Sequence, residues 1–227
     1  MSLIECRSIT KIYEGSTQKA LDSVGFSVES GSFTTITGKS GSGKTTLMNI
    51  ITGIDRPTSG EVLIAGQTLG QLDEQGLSVW RGRTVGVVFQ FFQLLPTLTV
   101  AENVTLPMEF CRRFRPQDRR RRAIDLLGRF GIADQADKLP HTLSGGQQQR
   151  AAIARALAND PPLIAADEPT GNLDSHTTED VLALFSDLVS QGKTVFMITH
   201  ESDNGRYATQ SIVLKDGRLA NADGGTK

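Results

Sequence analysis

The residues Gly38-Lys39-Ser40-Gly41-Ser42-Gly43-Lys44-Thr45 follow the spacing G-x-x-x-x-G-K-[ST]. Glycines at 38, 41 and 43 let a backbone wrap tightly round an anion and aim its N–H groups at phosphate oxygens. A helix opening near Lys44 would add the partial positive charge of its N-terminus. Lys44 then supplies a point charge for β- and γ-phosphates and Thr45 a hydroxyl for Mg²⁺, with Lys39, Ser40, Ser42 and Thr46 completing the segment. A second chemical feature is the pair Asp167-Glu168, which follows the apolar run Leu163 to Ala166. Carboxylates at the end of a strand suit divided labour, Asp167 in a metal shell and Glu168 orienting or deprotonating a water. A third is Ser144-Gly145-Gly146 ahead of Gln147, another hydroxyl-and-amide nest that could receive an anion at a helix start. No N-K-x-D run occurs, so adenine is favoured over guanine.

These groups need a frame that brings strand ends and helix starts to one place. Short β-rich runs at Phe33 to Thr37, Val85 to Phe89, Leu163 to Ala166 and Val195 to Ile198 read as buried strands of a mostly parallel sheet. Helical periodicity is clearest from Glu179 to Ser190 and from Gln147 to Ala158. Val24, Phe26 and Val28 alternate, and Glu61 to Ala65 reads as another strand, which predicts an antiparallel layer in the N-terminal part. Asp216-Gly217, between Ile212 to Leu214 and Leu219, signals a hairpin. The stretch from 94 to 158 is rich in helix and poor in strand. The expectation is therefore an α/β fold in a single domain over 1–227, with residues 1–93 and 159–227 as core and 94–158 as an inserted helical subdomain.

The 227 residues are 38% apolar and 22% charged, with formal net charge -1, a soluble globular composition without a global basic field. Nucleic acid is accordingly not expected as the main partner. No stretch approaches the ~18 unbroken apolar residues of a spanning helix, and the start of the chain lacks a signal-peptide core, so the chain is expected to be cytosolic. Cys6 and Cys111 are too few for a disulfide framework and are expected as free buried thiols. Between Arg112 and Arg122, seven of eleven residues are arginine. They read either as the solvated face of a helix opened by Pro116 or as a surface for phosphates, anionic lipid head groups or an acidic partner. His141 and His176 match no pattern and receive no role.

With the glycine loop and the acidic pair, the segment Leu143-Ser144-Gly145-Gly146-Gln147-Gln148-Gln149-Arg150 resembles the signature of ABC-type ATPases, and the resemblance spans essentially the whole chain. It implies a P-loop NTPase (RecA-like) core, with ATP and Mg²⁺ as cofactors. It also implies a head-to-tail dimer in which each ATP lies between the glycine loop of one copy and Ser144, Gly145, Gly146 and Gln147 of the other. Within that resemblance Tyr13 stacks on adenine, Gln90 contacts Mg²⁺ or the water and senses the membrane partner, and His200 touches the γ-phosphate. Asn172, Leu173 and Asp174 cross the dimer. Phe89 to Pro107 and Asp167 to Asp174 are similar to the group containing lipoprotein-releasing (LolD-type) and macrolide-exporting (MacB-type) ATPases. That implies a motor subunit peripheral on the inner face of the plasma membrane, a permease on a separate chain and an extracytoplasmic adaptor. Lys39 departs from the residues more usual there, and its side chain is expected to point to solvent. Two readings from other classes are a soluble ABC-type ATPase acting on DNA or the ribosome, supported only by the arginine cluster, and a nucleotide-gated link in cell division.

Overall fold

The computed structural model describes residues 1–200 and 207–220. β1 (Ser2–Ile12) and β2 (Lys19–Glu29) lead into β3 (Phe33–Thr37), which delivers the glycine-rich loop to α1 (Lys44–Ile51). β4 (Ser59–Ile64), β5 (Gln67–Thr68) and α2 (Glu74–Thr84) follow, then β6 (Val85–Val88). Three helices, α3 (Val100–Cys111), α4 (Pro116–Arg129) and α5 (Gly145–Ala156), intervene before β7 (Leu163–Asp167). α6 (Ser175–Ser190), β8 (Thr194–Ile198), β9 (Gln210–Lys215) and β10 (Arg218–Leu219) complete the order.

Two sheets result. One is antiparallel, in the order β2-β1-β4-β5; the other runs β10-β9-β3-β8-β7-β6, parallel except for β10. β3, β7 and β8 are almost wholly buried because both faces of the parallel sheet are covered; β7 and β8 accordingly read as near-continuous apolar runs, while β3 buries Thr34 and Thr35 between Phe33 and Ile36. α1 is wedged between the sheets, and its Leu47, Met48, Ile50 and Ile51 share a core with Ile4, Ile9, Val62, Phe196 and Ile198. The opposite face of the parallel sheet packs Val88, Ile164 and Val195 against Val104, Met108, Leu127, Ile153 and Phe185. The helices of 94–158 therefore share a hydrophobic core with the sheet.

Local chemistry sets the helix starts. Thr99 and Ser144 each form a reciprocal capping box, with Glu102 and Gln147, and Pro116 stands in the first turn of α4. β1 was not foreseen, because Ser8 at φ 50° breaks its register between Cys6 and Ile9 and with it the alternation that would mark a strand. Other boundaries move by a few residues. β6 ends at Val88 rather than Phe89, since Phe89 already opens a turn in which its carbonyl accepts from the Phe92 N–H at 3.2 Å. α5 runs Gly145–Ala156 rather than from Gln147 to Ala158, and α6 begins at Ser175, capped by Asp174, rather than at Glu179. Cys6 is buried, which pushes its thiol up to about 12. Cys111 is only half-buried, contrary to expectation, because it ends α3 beside Gly82 at the surface.

Nor is the arginine cluster simply a solvated face. Arg113, Arg119 and Arg122 donate to the backbone carbonyls of Asn159, Phe114 and Ala158, and the Arg122 guanidinium lies 4.5 Å from the centre of the Phe114 ring. Arg120 pairs with Asp137 and Arg121 with Asp118.

Candidate nucleotide site

The glycine loop leaves β3 at its C-terminal end, the side on which open α/β sheets bind ligands. Its glycines serve different needs. A Cβ at Gly38 would collide with the Leu214 carbonyl and one at Gly43 with the Ala20 carbonyl, so both are required by close packing on β9 and β2. Gly41, at φ 77°, faces open space and is required by conformation alone. Lys44 is buried, and its Nζ donates to the carbonyls of Gly38 at 2.8 Å and Lys39 at 3.0 Å, cross-bracing the loop. Thr45 and Lys39 are exposed, as the sequence suggested for Lys39, together with Ser40 and Gly41. Ser42 Oγ is buried without a hydrogen-bond partner among the described residues. Turned N–H groups at the start of α1, a buried ammonium, an exposed hydroxyl and nearby carboxylates form a donor set that fits a nucleotide triphosphate with a divalent cation.

The acidic pair stands in front of this loop. Asp167 closes β7 opposite Ile198, and Glu168 leaves the strand at φ 45°, its N–H donating to the Ile198 carbonyl at 3.0 Å. Burial drives the Lys44 ammonium down, and the charges of Glu168 and Asp167 oppose that shift. Burial raises Asp167, with the Glu168 charge adding to the rise and Lys44 and His200 countering it. His200 Nε2 lies 2.6 Å from Glu168 Oε1. Lys44, Asp167, Glu168 and His200 thus gather at the ends of three neighbouring strands.

Gln90 comes two residues after β6 and meets the loop that follows Glu168: its carbonyl accepts from Asn172 Nδ2 at 3.0 Å, and a Cβ at Gly171 would sit 3.0 Å from its Nε2. The bend after Gln90 is held by Arg155, whose guanidinium reaches the carbonyls of Phe92 and Gln93. Sequence reasoning missed Arg155, although a single arginine among the apolar positions of α5 was an available signal. Tyr13 is 43% exposed, donates to Thr46 Oγ1 at 3.2 Å and carries Lys11 Nζ 5.0 Å from its ring centre. An aromatic surface therefore stands at the edge of the loop.

The second nest is built by local capping. Ser144 Oγ accepts from the Gln147 N–H at 3.3 Å and Gln147 Oε1 accepts from the Ser144 N–H at 3.0 Å, which commits both side chains and leaves Gly145 and Gly146 N–H in the unbonded first turn. Gly146 lies so close to α6 that a Cβ there would fall 2.7 Å from Thr177 Cγ2. Asp174 caps α6 by accepting from Thr177 N at 3.0 Å and Thr177 Oγ1 at 2.7 Å, and these bonds hold its carboxyl below the usual range. His141 and His176 are exposed.

A family model described as ABC transporter matches residues 21–171. An uncharacterized ABC transporter ATP-binding protein of Mycobacterium tuberculosis is 47% identical over 91% of this chain and 84% of its own length. The macrolide export ATP-binding/permease protein MacB of Hyphomonas neptunium is 42% identical over 99% of this chain but only 35% of its own, so the chain spans about a third of that relative. Among solved structures, a dimeric post-hydrolysis state of the ATP-binding cassette MJ0796 bound to ADP and Pi superposes with a TM-score of 0.88 at 42% identity, covering 96% of this chain and 97% of that one.

Proposed function

The chain belongs to the ABC transporter ATP-binding family, and from that premise we propose that it is the ATP-hydrolysing motor of a transporter, two copies closing head to tail round two ATP to drive a membrane permease. The observation that carries the reading is the convergence of Lys44, Asp167, Glu168 and His200 on one loop. A relative that joins an ATP-binding part to a permease supports a membrane partner, and a dimeric cassette holding ADP and Pi supports hydrolysis within a pair. Among the described residues no helix is long and apolar enough to cross a membrane, so the pathway must be formed by other segments. Export or extraction of a lipoprotein, lipid, peptide or drug, an extracytoplasmic adaptor and a location on the inner face of the membrane complete the proposal.

The chemistry follows from the side chains. Lys44 and the first-turn N–H groups of α1 bind the β- and γ-phosphates and neutralise charge as it shifts toward the leaving oxygen. Glu168 orients the water and accepts its proton as the water oxygen bonds to the γ-phosphorus and the bond to the ADP oxygen breaks. His200 fixes the Glu168 carboxylate before nucleotide binds. Thr45, Asp167 and Gln90 would hold Mg²⁺, which would supply charge neutralisation for the phosphates. Tyr13 offers its ring to adenine. Glu168→Gln removes the base and keeps the phosphate contacts. We expect kcat to fall by about 10²-fold or more, ATP affinity to stay within about threefold, and an ATP-held dimer to accumulate on gel filtration. Turnover close to that of the unaltered chain would overturn the assignment.

A further inference from the structure

The arginine cluster is not used by the nucleotide chemistry, and only part of it is used by the fold. Arg113, Arg119 and Arg122 tie the α3–α4 corner to backbone carbonyls, and Asp160 faces the charges of Arg113 and Arg122. Within 112–122 there is one acidic residue, Asp118, against seven arginines. Arg112, in the left-handed residue that ends α3, and Arg115, the residue before Pro116, are both exposed and bond no side-chain acceptor among the described residues. The groove lined by Arg121, Arg122, Arg129, Asp118, Asp125 and Asp160 is balanced in charge, so an anion is better met by the outer arginines than inside it.

Beside these charges lies apolar surface. Phe110 is 78% exposed at the end of α3, and Val79 on α2 is 48% exposed. The two helices are pinned together there, because Asn159 Nδ2 donates to the carbonyls of Gly82 and Pro107 at 2.9 Å each and Cys111 packs against Gly82. Arg83, also exposed, ends α2 on the same corner. The joined helix ends therefore present an exposed phenylalanine within five residues of Arg112, Arg113 and Arg115, with Val79 and Arg83 exposed on the adjoining helix. Phosphate oxygens account for the arginines, and an acyl boundary accounts for the apolar pair, which a nucleic-acid backbone would leave in water.

We propose that this α2–α3–α4 corner is a lipid-contact surface, Arg112 and Arg115 meeting anionic phospholipid head groups while Phe110 enters the interface. The contact belongs to this chain alone and needs neither nucleotide nor permease. The test is flotation of the purified chain with vesicles of phosphatidylcholine alone or containing about one third phosphatidylglycerol, across roughly 0.05 to 0.3 M salt. The expected result is binding to the anionic vesicles only, weakening steeply with salt. Arg112→Glu with Arg115→Glu should lower it by at least about tenfold, and the neutral pair Arg112→Gln with Arg115→Gln by less. Phe110→Ser should lower it severalfold in a way that salt does not erase. ATP affinity and circular dichroism should be unchanged in all three, since every altered residue is exposed and lies on the α3–α4 corner, outside the glycine loop. Equal binding to both vesicle types, or no effect of the substitutions, would overturn the proposal. So would tighter, cluster-dependent binding to duplex DNA or to polyglutamate at the same salt, which would assign the corner to nucleic acid or to an acidic protein.

Discussion

Asp167 and Glu168 are neighbours in sequence, yet in an extended strand neighbours point to opposite faces. They share one site because the strand stops between them: Asp167 keeps its place in β7, while Glu168 takes φ 45°, held by its N–H to Ile198 and its carbonyl to Gly171. That backbone costs energy for any residue but glycine and is retained where function requires it. The two carboxylates also differ in environment. Burial pushes Asp167 up, so holding it ionised at neutral pH costs stability that a bound cation would return. Asp167→Asn should therefore raise the melting temperature of the nucleotide-free chain at pH 7, by no more than about 2 °C because partial exposure screens the penalty. A raised folded value means the penalty is fully present above that value and vanishes below the ordinary carboxylate value of 3.8, where both states are protonated. The advantage should thus shrink as pH falls, and calorimetry across that range checks it, with loss of Mg²⁺-dependent hydrolysis as the functional cost. A variant less stable than the parent at pH 7 would contradict the account. Residue type and spacing were enough to mark Lys44, Asp167 and Glu168, because those chemistries are rare in that order. The left-handed turn at Glu168 and the reach of Arg155 were not legible, since neither is encoded within a few residues of its effect.

At the scale of elements, the β9–β10 hairpin does more than close a sheet edge. Gly217 in its turn donates to the Ser42 carbonyl at 3.0 Å, inside the glycine loop, and accepts from the Asp22 N–H at 2.8 Å. Asp22 adds ion pairs to Lys19 and Arg218, whose hydrogen bonds hold its carboxyl at about 2. Together with Leu214 against Gly38, the hairpin buttresses the phosphate loop from behind. Asp-Gly announces a turn because turn chemistry is local. Its contact with a loop some 175 residues earlier is tertiary, and no pattern in the turn reports it. Gly217 stands at φ 75°, and a Cβ there would come within 2.9 Å of the Ala20 carbonyl. Gly217→Ala should lower ATP affinity by about threefold to tenfold, as part of a left-handed strain of about 1–2 kcal/mol is relieved by shifting the loop. Gly66→Ala is the control: the same backbone strain at φ 78°, with open space round the added methyl. Titration with a fluorescent ATP analogue separates the two. Equal losses in both variants would mean that general destabilisation, and not the buttress, governs affinity.

For the whole molecule the question is which glycine loop and which α5 nest serve one nucleotide. The nest is carried on the helical side of the core and packs through Gly145 and Gly146 on Leu173 and Thr177, so it is fixed to the start of α6. The loop is fixed between β3, β9 and α1. A symmetric pair of copies lets each loop meet the other copy's nest, and this can be tested without a permease. Lys44→Ala disables the loop and leaves the nest. Ser144→Asp does the reverse: aspartate caps a helix as well as serine, so α5 keeps its start, while its charge repels phosphate. Each variant alone should be nearly inactive. Mixed in equal amounts they should recover about a quarter of the parent ATPase activity, because half the pairs are mixed and each mixed pair holds one complete site of two. If loop and nest of the same copy served one ATP, the mixture would remain at background, and the head-to-tail arrangement would have to be abandoned while the assignments of Lys44 and Ser144 stood.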